Sequence, residues 1–291
     1  MMKNLIEEII NKTSIVLNCK PEEVKIIKKL KGGLSNDTFH VQVKKRSFTF
    51  RRIGQDGNLF VDREIEFQNI KSIDKLNLSS KVFYFDTETG DKIQDFIEGK
   101  SLDELNFNDY VSEISKSLKK IHQSKHANIN DYGLINRLKL YESYTNQRTP
   151  NYQKIKALWL DLYKKNYQFN EKVFCHNDLQ QSNIIVDDKK IFFIDWEYSG
   201  YNEFYYDIAS FGNLDFRHAL VLLDNYLGRE STPEEKNHLR FYRIYQTLQW
   251  HQVALYKNKI GLGEKIGVDF KSLAINFLKI AESLSEYLFE L

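Results

Sequence analysis

Apolar residues recur at three- and four-residue spacing over residues 4–18, where Leu5, Ile6, Ile9, Ile10 and Leu17 predict an amphipathic helix. The pattern then changes to period two. Val24, Ile26 and Leu30, then Phe39, Val41 and Val43, then Phe48 and Phe50 alternate with polar residues, which predicts three strands. A Gly32-Gly33 turn and a turn over residues 44–47 separate them, so the three read as an antiparallel meander. Residues 62–76 return to helical spacing, and residues 82–86 and 92–97 predict two further strands around a turn containing Thr89-Gly90-Asp91. From Phe107 the spacing is helical, with Tyr110, Ile114, Leu118 and Ile121 on one face. Helices are also predicted over residues 138–144, 152–167, 207–227, 233–257 and 270–288. Residues 173–200 interrupt them with short apolar runs between polar loops.

This order predicts an α+β fold of two lobes: an N-terminal antiparallel sheet with one inserted helix, then a larger, mainly helical lobe. The expected boundaries are 1–97 for a nucleotide-binding lobe and 98–291 for a catalytic and substrate-binding lobe. Such an arrangement places a ligand cleft between the lobes.

Charge narrows the function classes. Lys and Arg total 42 against 40 Asp and Glu, a formal net charge of +2, which lacks the basic excess of bulk nucleic-acid binding. Cys19 and Cys175 stand far apart and form neither a disulfide framework nor a zinc motif. Glu7 and Glu8 break the apolar stretch at the start, unlike a secretory signal, and no uncharged run approaches the roughly 18 residues of a membrane span. A cytoplasmic protein without membrane insertion is expected. The 20 Phe, 17 Tyr and 3 Trp serve mainly as core, and a few of them suit a cation pocket.

The densest chemical signal is His176-Asn177-Asp178-Leu179-Gln180-Gln181-Ser182-Asn183, followed by an apolar run and a second run ending at Asp195. Phosphoryl transfer needs a carboxylate to orient or deprotonate the attacking hydroxyl, and oxygen ligands for the Mg²⁺ that accompanies ATP. Protein kinases meet both needs with an Asp, an Asn five residues later and an Asp after a short hairpin. Asp178 is then the base, and Asn183 and Asp195 hold metal. Taken singly, each fits a turn or a strand end; the ordered set points to chemistry. Upstream, the Gly33, Ser35 and Asn36 region suits a turn over phosphates. Of Arg51 and Arg52, alternation turns only one inward, with Glu66 on the following helix to orient it. Asp95 and Ile97 lie where a hinge would offer backbone groups to adenine.

Five segments together resemble the choline/ethanolamine kinase family, which has a protein-kinase-like fold shared with aminoglycoside phosphotransferases. They are GGLSNDTFHV, FRRIG, DFIEG, CHNDLQQSNI and FIDWEYSGYNEFYYDIASF, spanning residues 32–211. The resemblance implies an ATP-dependent kinase that phosphorylates choline to phosphocholine. It assigns catalysis to Asp178, Asn183 and Asp195, nucleotide binding to Arg52 rather than Arg51, and loop bracing to Asp207, with His176 also structural. A quaternary ammonium is recognised by aromatic faces and carboxylates, which makes Tyr198, Glu197 and Trp250 the substrate candidates. Related enzymes carry a Trp-x-x-Trp pair in a late helix; here Val253 stands in the second position. Ethanolamine, thiamine, an aminoglycoside or another small alcohol therefore stays open as acceptor. A nucleotide-binding pseudokinase is the alternative of another class.

Overall fold

The computed structural model describes residues 2–30, 36–54, 56–126 and 129–288. In chain order the first elements are α1 (Met2–Val16), β1 (Val24–Lys29), β2 (Asn36–Val43), β3 (Arg46–Ile53), α2 (Arg63–Ile73), β4 (Val82–Phe85), β5 (Lys92–Asp95) and β6 (Lys100–Ser101). Then follow α3 (Val111–His122), α4 (Leu134–Thr145), α5 (Pro150–Leu162), β7 (Val173–Cys175), β8 (Ile184–Asp187), β9 (Lys190–Phe193) and β10 (Gly200–Asn202). The chain closes with α6 (Phe204–Phe211), α7 (Phe216–Leu227), α8 (Pro233–Lys259), α9 (Leu262–Ile266) and α10 (Phe270–Glu286).

These elements form two compact units, and the division does not follow chain order. The first takes residues 1–107, 126–129 and 181–199; the second takes 108–125, 130–180 and 200–291. The expected boundary at 97 thus falls inside the first unit, which also takes in β8 and β9. Hydrogen bonding is the reason: β6, β8 and β9 form one sheet, and the Phe193 N–H donates to the Leu78 carbonyl at 2.8 Å.

The main sheet of the first unit has five antiparallel strands in the order β1-β2-β3-β5-β4. On one face Phe39, Val41, Val43, Phe48 and Phe50 pack with Ile9 of α1. Alternation turns Thr49 and Arg51 to the other face. The Asp62 carboxylate caps α2 by accepting from the Ile65 N–H at 3.1 Å.

The second unit is helical around α8, which spans 27 residues and is buried along much of its length. The helix expected over 207–227 is broken into α6 and α7. Gly212 ends α6, and a Cβ there would come within 2.6 Å of the Ala219 side chain. Where one helix was expected over 152–167, α5 ends at Leu162 and a π-helical turn covers Tyr163–Tyr167. β6, β10 and α9 were not anticipated; each is too short to show a period. Among the described residues, no helix is long and apolar enough to cross a membrane.

Candidate active site

In the first unit, three cations and three carboxylates converge. Arg51 on β3 donates from Nη1 and Nη2 to Glu66 on α2, at 2.7 and 3.0 Å. Its Nη1 also reaches Asp195 Oδ1 at 3.3 Å, and its Nη2 donates to the Gly90 carbonyl at 3.0 Å. Arg63, in the first turn of α2, binds Glu66 at 2.6 Å and Glu197 at 2.9 Å. Lys92 on β5 adds a third cation, 3.4 Å from Glu66. Gly90 makes the close approach possible: its φ is +80°, and a Cβ there would fall 2.8 Å from Arg63 Nε.

The surroundings split the carboxylates. Burial pushes Glu66 up, but Arg51 and Lys92 outweigh it and hold the group down at about 2. Glu197 moves the other way, because burial and then Asp195 outweigh the pull of Arg63 and Arg51. Lys92 is lowered by burial and by Arg51. Lys92 and Asp195 line a concavity with Ser79, Ser80, Ile70 and Gln94.

Asn183 and Asp195 flank the β8–β9 hairpin. Ile184 pairs with Phe193, and the Ile194 N–H donates to the Asn183 carbonyl at 2.9 Å, which brings their backbones together at one end. Asp195 adopts a left-handed conformation, φ +64°, a strained choice found at functional turns. Its side chain is 31% exposed. One carboxylate and one amide oxygen are hard donors of the kind Mg²⁺ takes, so this pair fits the metal.

In the second unit, Asp178 follows β7 in a loop fixed from below. The Asp207 carboxylate on α6 accepts from the backbone N–H groups of His176 and Asn177, at 2.9 and 2.7 Å. His122 Nε2 lies 3.0 Å from the same carboxylate. Asn177, at φ +62°, donates from its amide to the Gly200 carbonyl at 3.2 Å and accepts from Asn202 at 3.0 Å. Leu179 is fully buried and anchors the loop. His122, Cys175 and Asp207 bring ligand-type atoms within 4.8 Å of one another. Both Asp207 oxygens are engaged by loop N–H groups, however, and burial pushes the Cys175 thiol up, so the group is a brace.

Two assignments need correction. Arg52 is not the inward arginine. It shares the β3 face of Phe48 and Phe50, and its side chain, 37% exposed, pairs with Glu8 on α1 at 2.5 Å. Arg51 holds Glu66 and reaches Asp195. Glu197, expected beside a substrate cation, instead faces Arg63 and accepts from Asn36 at 3.3 Å; strong cations already occupy that carboxylate. Of the remaining expectations, Gly33 and Ser35 lie outside the described residues. The Asp95 N–H is taken by the Lys81 carbonyl at 2.9 Å, and its side chain by Arg46 at 3.1 Å. No backbone hydrogen bond reaches Ile97 among the described residues. Tyr198 is buried, Trp250 is half-buried on α8, and Val253 is buried on the same helix. Arg63 and Lys92 are not among the expected site residues. A cation at a helix start and one at a strand start read as solvated until the fold brings both to Glu66.

A model of the family described as choline/ethanolamine kinase matches residues 27–255. Protein LicA of Haemophilus influenzae is 26% identical over 275 residues, covering 88% of this chain and 79% of that protein. A probable choline kinase 2 of Arabidopsis thaliana is 26% identical over 62% of this chain. Choline kinase LicA from Streptococcus pneumoniae superposes with a TM-score of 0.77 at 23% identity, covering 97% of this chain and 99% of that one. Aminoglycoside phosphotransferase APH(4)-Ia shares the fold at a TM-score of 0.69 and 12% identity. The matched segment holds the His176–Asn183 motif, Asp195 and the Arg51–Glu66 pair together, and the chain belongs to the choline/ethanolamine kinase family, phosphotransferases with an alcohol as acceptor.

Proposed function

We propose that this kinase transfers the γ-phosphoryl group of ATP to the hydroxyl of choline, giving phosphocholine and ADP. The observation that carries the reading is the intact set of Asp178, Asn183 and Asp195 inside the family segment, with Asp178 on a loop braced by Asp207. Asp178 orients the acceptor hydroxyl. As the hydroxyl oxygen bonds to the γ-phosphorus, the bond from that phosphorus to the ADP oxygen breaks and the hydroxyl proton passes to the Asp178 carboxylate. Arg51, fixed by Glu66, offers the positive charge that the phosphates need. Asn183 and Asp195 would hold Mg²⁺, which would neutralise phosphate charge. Trp250, half-buried on α8, supplies an aromatic face for the trimethylammonium group.

Ethanolamine is the second reading. It is favoured by one observation: the position where related enzymes carry a second tryptophan is Val253, an aliphatic side chain that gives a quaternary ammonium no π face.

The test is ADP release with Mg-ATP against choline, ethanolamine, thiamine, an aminoglycoside and methylthioribose. Selective turnover of choline supports the proposal. Turnover of ethanolamine with choline silent replaces the acceptor, and nucleotide binding with no acceptor turned over replaces the enzyme with a pseudokinase. A folded Asp178→Asn protein with near-normal activity removes Asp178 from the mechanism.

A further inference from the structure

Gln180 joins the candidate base to a buried cation. Its Nε2 donates to Asp178 Oδ1 at 2.7 Å, and its Oε1 accepts from Asn213 Nδ2 at 2.9 Å. The carboxylate decides both bonds. An ionised Asp178 only accepts, so Gln180 must turn its NH₂ group to it and its amide oxygen to Asn213, which then presents its own NH₂. Asn213 lies in the break between α6 and α7, where its carbonyl accepts from Arg243 Nη2 at 2.8 Å. Arg243 on α8 is only 2% exposed and also donates to Gln246 at 3.3 Å. Burial lowers its guanidinium to about 10, which still leaves it charged at neutral pH. All of these residues belong to the second unit.

We propose that Gln180 is a positioning residue for Asp178, held in register by Asn213 and, through the Asn213 carbonyl, by Arg243. This rests on the reading of Asp178 as the base. A donor fixed on one carboxylate oxygen sets the plane of the group and favours its ionised form. A base must be both aimed and deprotonated to accept a hydroxyl proton. The break between α6 and α7 then has a use: a continuous helix would leave no turn at Asn213 to reach Gln180.

The experiment uses the full-length protein with Gln180→Met, the isosteric Gln180→Glu and Asn213→Leu. Gln180→Met is expected to lower kcat by about 100-fold, the loss that misplacing a reacting group can cause, with KM for ATP within about twofold. Gln180→Glu places a second carboxylate beside Asp178 and is expected to move the acid limb of kcat/KM upward by about one pH unit or more. Asn213→Leu should act in the same direction as Gln180→Met, and the double variant should be no worse than Gln180→Met alone. Variants that lower the melting temperature but leave kcat and the acid limb unmoved would overturn the proposal. The two readings fail separately. An active Asp178→Asn protein removes the base. An inactive Asp178→Asn protein beside unaltered Gln180 variants removes only the role of Gln180.

Discussion

Arg51 and Arg52 are neighbours on one strand with opposite electrostatic surroundings. Arg51 is buried between Glu66 and Asp195, whereas Arg52 meets Glu8 where both side chains are exposed. A buried, bidentate arginine–carboxylate pair leaves an uncompensated charge when one member is removed. An exposed pair contributes only about 0–1 kcal/mol. Arg51→Met is therefore expected to reduce kcat/KM for ATP by about 100-fold or more and to lower the melting temperature. Arg51→Lys should fall between, because a lysine keeps the charge and loses the fork. Arg52→Ala should stay within about twofold of the parent enzyme. Steady-state kinetics over ATP concentration check all three, and a loss confined to Arg52→Ala would reverse the assignment. At this scale the sequence limited the inward arginine to one of the two and offered Glu66 as its partner. The choice between the two was not legible: alternation sets Arg52 with Phe48 and Phe50, but that this face packs on α1 is a tertiary fact. The resemblance to the family pointed to Arg52.

Among the elements, α8 begins at residue 233 as its spacing predicts, and its start is held by a complete capping box. Thr232 Oγ1 accepts from the Glu235 N–H at 3.2 Å, the Glu235 carboxylate accepts from the Thr232 N–H at 2.8 Å, and Pro233 follows the cap. Arg229 holds the far side of Glu235 at 2.7 Å. Thr232→Ala removes one arm of the box and is expected to cost about 1 kcal/mol, a fall in melting temperature of about 2–4 °C. Thr232→Gly should cost only a few tenths of a kcal/mol, since glycine is itself a tolerated cap. Thermal melts of the two variants, with kcat unchanged in both, check this; equal losses would show that the helix start is held by packing instead. The elements that the sequence concealed have a common cause. β6 and β10 are two and three residues long, below the length at which alternation can be read. The break before α7 falls at Gly212, where a Cβ would come within 2.6 Å of the Ala219 side chain, a tertiary fact that helical spacing across 207–227 does not carry.

At the scale of the molecule, chain order and unit membership diverge, and reading from left to right cannot show it. Residues 181–199 follow more than fifty residues of the second unit, yet they complete the first. Within that unit β8 pairs with β6, the Asn69 amide donates to the Ser199 carbonyl at 2.8 Å, and Glu197 answers Arg63 at 2.9 Å. A chain ending at residue 107 would leave β6 unpaired and remove Asp195 and Glu197, two of the three carboxylates that balance Arg51, Arg63 and Lys92. Excess buried positive charge and lost packing both oppose folding. Residues 1–107 expressed alone are therefore expected to show no cooperative thermal transition by circular dichroism. The same segment joined through a flexible Gly/Ser linker to residues 181–199 should regain one. If residues 1–107 melt cooperatively alone, the five-stranded sheet and α1 suffice, and the hairpin carrying Asn183 and Asp195 is an addition for chemistry rather than a part of the fold. If only the joined protein does, the hairpin that carries both candidate metal ligands is also a structural requirement of the unit that would bind nucleotide.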